Sequence, residues 1–417
     1  MATVTSDEPA VDWGSITSAD DVRGCMDTDT HEMIPLHLWE QAFGTEVREF
    51  TDFCRGMNIV NHAAENTIRR DDLDADTTAI TPDTVWEVKG PEAPGAFDLG
   101  RRHEVMDMQG VARELLFPGF GLRGMIVLYD PDAHTIFEFD PEKVDARALG
   151  RVCLQAHNDW CAGVSRTQGS SRMRPVAFIV VDSVDTMMTE AQNLLDQGIR
   201  AVMLPSGVPP AGMSPADPRL DPFWTLMEET DTAVTMHVGT EFPLLSSHVW
   251  GDNVPEFENA MGSSLEFVLQ PYWGATVNFS SENYLTAMVM GGVFERHPRL
   301  RFGSIEVGAQ WIGPLAERLD MWADVFHRRY YDVPNFSMKP SEYLNRNVRV
   351  APYHFEDVDM YFDRYAAISN VYTFSSDYPH REGGQHTKEN FFRKLQGHGP
   401  DALRRFFVDN GEWLLPA

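Results

Sequence analysis

Eight short apolar runs, each of four to seven residues and bounded by glycine, proline or charged turn residues, are spaced along the chain with amphipathic stretches between them. Apolar runs of this length predict strands, and apolar positions three and four apart predict helices. The predicted strands are residues 25–29, 113–117, 175–181, 201–204, 233–238, 300–306, 348–351 and 371–376. Predicted helices at 184–195, 222–229, 283–296, 310–326 and 355–365 fall between them. This alternation brings the strands side by side in parallel. Eight of them count out to an α/β fold, a closed (β/α)8 or TIM barrel.

The chain is longer than such a barrel needs, and the excess lies early. Residues 36–111 and 119–169 are rich in Met, Phe, Trp and charge without strand periodicity. They are expected as insertions over the C-terminal mouth, forming a lid or a contact in a homodimer. Pro205-Ser206-Gly207-Val208-Pro209-Pro210-Ala211-Gly212 marks a long loop after the fourth strand. Residues 1–21 are polar and acidic and are expected as a flexible arm, leaving 22–417 as one elaborated domain.

Composition narrows the function. Hydrophobic residues make up 43% and aromatic residues 11%, enough for a large core. The net charge of −29, from 63 acidic and 34 basic residues, opposes binding to nucleic acid or to an anionic membrane. No stretch has the pattern of a membrane span or an export signal, so a cytoplasmic protein acting on a small molecule is expected. Cys25, Cys54, Cys153 and Cys161 lack zinc-ribbon spacing and are expected to be reduced and buried.

Four predicted strands run into residues that bind metals: Asp29-Thr30-His31, Met236-His237-Val238, Ser304-Ile305-Glu306 and Ser376-Asp377-Tyr378. In a barrel these C-terminal strand ends converge. Asp29 and His31 are two residues apart and so share a face. The candidate metal ligands are Asp29, His31, His237, Glu306 and Asp377, with Glu32 as a sixth. Each has a bland counterpart: a core histidine for His237, a helix N-cap for Asp377, a solvated loop carboxylate for Glu32. His248, Glu241 and His380 stand in reserve as ligands or their partners. Carboxylate-rich sites with two histidines suit iron or manganese better than zinc, and four carboxylates with two histidines equal the donor count of di-iron proteins.

Other motifs read as structural. Asn158-Asp159-Trp160 is expected to brace a helix, and His354 to lie at the surface. The acidic run 71–76 lacks the ligand order of a calcium loop, and Gly119-Phe120-Gly121 is too short for a phosphate cradle.

Five motifs in order, Asp27-Thr28-Asp29-Thr30-His31, Thr235-Met236-His237-Val238-Gly239, Gly292-Val293-Phe294-Glu295-Arg296-His297-Pro298-Arg299-Leu300, Pro340-Ser341-Glu342-Tyr343 and Ser375-Ser376-Asp377-Tyr378-Pro379-His380, resemble the amidohydrolase-related metal-dependent barrels. The resembling branch includes aminocarboxymuconate-semialdehyde decarboxylase. It covers residue 25 to the C-terminus apart from the insertions, and it implies that Asp29, His31, His237 and Asp377 contact metal. Decarboxylases of that branch end the sixth strand in His-Gly-Gly, whereas this chain places Glu306 there. The replacement removes a histidine acid and adds an oxygen ligand. An offshoot of these barrels from diterpenoid antibiotic biosynthesis holds a non-haem di-iron centre and hydroxylates its substrate with O2. The resemblance to it implies two Fe ions, a monooxygenase acting on an apolar molecule such as a diterpenoid acid or its activated ester, and an electron-donor protein. Asp377, Glu306 and His237 would stand at the reacting centre. The alternative is a hydrolase or non-oxidative decarboxylase with one Zn or Mn, in which Asp377 is the general base. A metal-free scaffold barrel leaves the ligand residues at the strand ends unexplained.

Overall fold

The apolar runs become strands because both of their faces are buried, the condition for a parallel sheet walled by helices. In the computed structural model, residues 11–56, 70–169, 172–244, 250–251, 253–258, 271–329 and 336–416 are described. β1 (Cys25–His31), β2 (Val111–Phe117) and β3 (Met173–Pro175) form one parallel ladder. β4 (Ala177–Phe178), β5 (Ala201–Met203), β6 (Ala233–His237), β7 (Arg301–Ile305) and β8 (Val348–Val350) form a second. β4 lies within the strand predicted at 175–181, and β3 precedes it, sharing only Pro175. Across the break Val176 N–H still donates to Leu116 O of β2 at 2.9 Å and Ile179 N–H to Met203 O of β5 at 3.1 Å. The break falls at Pro175, which has no N–H to give.

The segment predicted as the last strand, 371–376, forms no regular strand: Tyr372 bridges to Val350, and Tyr378, two residues beyond it, to Thr30. Between those bridges Thr28 N–H donates to Phe374 O at 3.1 Å and Asp377 N–H to Asp29 O at 2.9 Å. The ladder is irregular because a side chain takes part in it. Asp27 Oδ1 accepts from Ser376 N–H at 2.9 Å and from Asp29 N–H at 3.2 Å, and β1 shifts register between Asp27 and Thr30. This seam joins the eighth segment to β1 and closes a (β/α)8 barrel.

Met26, Leu115, Phe117, Val176, Phe178, Met203 and Ile305 fill the barrel, joined from below by Leu414 and Leu415. Alternate positions, among them Val202, Val234, Met236, Phe302 and Val350, pack outward on Trp224, Leu285, Phe294 and Leu344 of the helices. The helix Asn410–Leu414 reaches the barrel floor only because residue 411 is glycine: a Cβ there would sit 2.4 Å from Met26 Cβ.

The early insertion adds a second core. Trp39, Phe43 and Phe50 pack with Phe120 and Phe137. The 119–169 stretch contains helices Phe120–Tyr129 and Ala146–Val164. Asn158 on the longer one grips β4, accepting from Phe178 N–H at 2.8 Å and donating to Phe178 O at 2.9 Å. Of the expected arm, residues 1–10 lie outside the described residues, and Trp13, Ile16 and Ala19 pack against the main core. The four cysteines are buried and form no disulfide. Among the described residues no helix is long and apolar enough to cross a membrane.

One buried ion pair supports the seam from behind. Arg102 and Glu114 are almost wholly buried, 3.1 Å apart, and the Arg102 guanidinium also donates to Tyr378 O at 3.3 Å and lies 4.5 Å from the Tyr378 ring. Arg102→Met is expected to cost about 3–5 kcal/mol, because it strands a buried carboxylate. Adding Glu114→Leu is expected to recover most of that loss, which denaturant midpoints of the two variants and the wild type would show.

Candidate metal centre

β1 ends in Asp29, Thr30 and His31, and its pleat turns Asp29 and His31 inward together. His237 ends β6, Glu306 follows β7, and Asp377 leaves the eighth segment. All five are buried. His31 Nε2 is 3.3 Å from Asp29 Oδ1, 3.4 Å from Asp377 Oδ1 and 3.7 Å from Glu306 Oε2. His237 Nε2 is 3.0 Å from Glu306 Oε2 and 3.5 Å from Asp29 Oδ1. His237 is aimed by its other nitrogen, Nδ1, which sits 3.0 Å from Val238 O.

The donor atoms fit a cation. Metal–ligand bonds of about 2.0–2.2 Å place neighbouring ligand atoms roughly 3.0–3.5 Å apart, and all of these separations but His31 Nε2 to Glu306 Oε2, at 3.7 Å, fall in that range. Asp29 Oδ1, His31 Nε2, His237 Nε2, Glu306 Oε2 and Asp377 Oδ1 are buried without a hydrogen-bond partner. Buried polar atoms rarely stay so, and several of them facing one point call for an ion. The donors fall into two overlapping groups, Asp29, His31, His237 and Glu306, and His31, Glu306, Asp377 and His380.

Backbone strain marks the same place. Glu306 and Asp377 adopt left-handed φ of 55° and 51°, which costs non-glycine residues about 1 kcal/mol or more and tends to be kept at working sites. Tyr353 hydroxyl donates to Glu306 O at 2.8 Å and holds that turn. Glu356 in turn accepts from Tyr353 N–H at 2.7 Å and from Ala309 N–H at 3.1 Å, tying together the loops after β8 and β7.

Sequence reasoning is corrected at Glu32. Its carboxylate accepts from Gly119 N–H at 2.7 Å, Phe120 N–H at 2.8 Å and Ile34 N–H at 3.1 Å, and it stands outside both donor groups. It serves the N-terminus of helix Phe120–Tyr129, where a negative charge is favoured. His380, held in reserve, takes the sixth place: its ring stacks on His31 at 3.8 Å and its Nδ1 is 3.1 Å from Asp377 Oδ1. Glu241 accepts from Gly239 N–H at 3.0 Å, outside the donor groups, and His248 lies outside the described residues. Asp377 caps no helix, the next one being Thr387–Leu395. His354 is half-buried beside Asn390. Asp27, Tyr353 and Glu356 went unnoticed in the sequence; the Asp-x-Asp-x-His alternation in β1 was the available signal for Asp27.

Without a cation the cluster retains protons. Burial opposes charge on His237, but Glu306 and Asp29 outweigh it and raise its pKa to about 10. Burial, reinforced by the charge of Asp377, pushes Glu306 up to about 8. His31 moves the other way, well below the usual imidazole range, through burial and the neighbouring His380.

A parallel barrel with buried carboxylates and imidazoles converging at its C-terminal ends defines a metal-dependent enzyme. Residues 92–416 match the amidohydrolase family, and the chain belongs to that family. The match begins after β1, so Asp29 and His31 lie outside it. The fold is that of an amidohydrolase from Mycobacterium avium subsp. paratuberculosis, with TM-score 0.63 and 20% identity over 94% of this chain and 99% of that one. It is also that of 2,6-dihydroxybenzoate decarboxylase from Rhizobium, with TM-score 0.57 and 15% identity over 94% and 99%. A Polaromonas dihydroxybenzoic acid decarboxylase, solved with manganese and the inhibitor 2-nitroresorcinol, has TM-score 0.55 and 14% identity over 94% and 97%. No curated protein matches the sequence.

A divalent ion must displace the proton of His237, so its binding tightens as pH rises. Apparent Mn²⁺ affinity is expected to climb from about pH 6 and to flatten only once His237 has lost its proton, near pH 10. Titration of metal-free protein across that range checks this, and an affinity that falls with pH contradicts it.

Proposed function

We propose that the chain is a non-oxidative decarboxylase using one divalent ion, manganese or zinc, on a small carboxylic acid whose carboxylate is attached to a ring or enol. The observation that carries the reading is the convergence of buried, partnerless donor atoms from Asp29, His31, His237, Glu306 and Asp377. The two decarboxylases of like fold, one solved with manganese, support it.

In this reading Asp29, His31, His237 and Asp377 hold the ion. When bound, it supplies positive charge that fixes the substrate's oxygens and polarises them. Glu306 takes the part of the acid. Burial strengthens its hold on a proton, the direction that general acid work near neutral pH requires. Glu306 gives that proton to the carbon bearing the carboxylate. The bond from that carbon to the carboxylate then breaks, its electron pair stays with the ring, and CO2 leaves. A proton from solvent restores Glu306, and no oxidant or reductant is consumed. Phe117, stacked on His237 at 4.5 Å, gives the site an apolar wall that limits water.

A di-iron monooxygenase is the second reading, and one observation favours it: the donors form two overlapping groups rather than one. Against it, Glu32, the fourth carboxylate of the di-iron count, is committed to three backbone amides.

Metal analysis and turnover without oxygen separate the readings. About one manganese or zinc per chain, with CO2 released from hydroxybenzoate-type acids under anaerobic conditions, is expected. Two irons per chain with turnover only in O2 would replace this reading with the oxygenase. Glu306→Gln is expected to keep its metal and lose about 10²–10⁴-fold in kcat; loss of metal from that variant would make Glu306 a ligand instead.

A further inference from the structure

The opposite end of the barrel is as basic as the mouth is acidic. Arg113 in β2, Arg174 in β3, Arg301 in β7 and Arg349 in β8 occupy the inward positions below Leu115, Val176, Ile305 and Ala351, which line the interior. Helix Asn410–Leu414 and the residues after it close this floor. Arg113 Nη1 donates to Leu415 O at 2.8 Å and Arg349 Nε to Asn410 O at 2.9 Å, while Arg174 and Arg301 donate to Pro416 O and Trp413 O. Arg301 and Arg349 also lie over the Trp413 ring, 4.4 Å and 5.4 Å from its centre. Arg200 adds a fifth guanidinium, donating to Leu195 O at 3.0 Å and Ile199 O at 2.8 Å.

Negative charge among the described residues does not match this. Among the described residues the carboxylates paired with these five arginines are Asp231, 2.9 Å from Arg301, and Glu412, 3.6 Å from Arg113. Arg174 has neither. It is 6% exposed, its Nε and Nη1 are buried and meet no acceptor, and Trp413 Nε1 beside the cluster is in the same position. Burial, then the charges of Arg113, Arg301 and Arg200, push the Arg174 guanidinium down to about 10. Buried cations with unused N–H groups are costly, and like charges close by add to the cost. An anion with several oxygens relieves both.

We propose that the barrel floor binds a tetrahedral oxyanion of the phosphate class, held by Arg174 between Arg113 and Arg301. Arg174 Nε and Nη1 point in different directions and would each meet one oxygen, a demand that an anion with several oxygens satisfies. Inorganic phosphate and the end of a phosphomonoester offer the same chemistry. The site lies at the N-terminal strand ends, away from the metal centre, so its failure would leave the decarboxylase reading untouched.

The test is thermal melting of the full chain in chelator, which keeps phosphate from being held at the mouth, with chloride at matched ionic strength as control. Inorganic phosphate is expected to raise the melting temperature of the wild type in a saturable way. Arg174→Gln is expected to weaken half-saturation by about tenfold or more, the loss of one charge-assisted pair. If that variant does not fold, Arg113→Gln serves for the same comparison. Adenosine monophosphate separates the two sources: half-saturation below that of phosphate assigns a phosphomonoester, and half-saturation equal or above assigns the free ion. No shift with either compound, or a shift undiminished in the variants, overturns the proposal.

Discussion

A barrel exists only if its last segment meets its first, and in this protein a side chain joins the backbone in that meeting. Asp27 bonds both the backbone before Asp377 and the backbone of Asp29. Regular pairing would have given a smoother wall. The irregular seam instead brings Asp29 and His31 from one side, and Asp377 and His380 from the other, to a single point. Most of the donor cluster is therefore built across the junction, and whatever holds the junction holds the site. Arg102 and Glu114 do so from outside, by packing a guanidinium against Tyr378.

Much of this was legible in the sequence because polar residues at the ends of apolar runs are conspicuous. Asp29, His31, His237, Glu306 and Asp377 each interrupt a strand pattern, and barrel geometry forces such interruptions together. The strands themselves were placed within a few residues, apart from the break at Pro175 and the irregular eighth segment. Pairing across the seam depends on Asp27, whose reach no periodicity reveals. Glu32 was misjudged because its partners are backbone amides at 119 and 120, distant in sequence. A Tyr-Pro turn separates His380 from Asp377, and nothing in the sequence marks that this turn folds His380 back onto His31. Arg113, Arg174, Arg301 and Arg349 escaped notice because single arginines at strand starts look like ordinary solvated ends.

The two ends of the barrel have opposite electrostatic characters within a chain of net charge −29. At the mouth, carboxylates crowd with imidazoles and need positive charge. At the floor, guanidinium groups crowd around carbonyl oxygens at the end of a helix, where cations complement the dipole. The apolar filling between them, Leu115, Phe117, Phe178, Met203 and Ile305, keeps water out and the two fields apart.

Glu32 gives the mouth a mechanical property. It is bonded to the first turn of helix Phe120–Tyr129 and is joined by one peptide link to His31. Leu122 on that helix also packs against Gly239, just beyond His237. Any swing of the helix away from the opening pulls on the backbone beside one imidazole and loosens the packing beside the other. The placement of both imidazoles is thus tied to the position of one helix, so a substitution that displaces the helix would disturb the donor cluster from two sides.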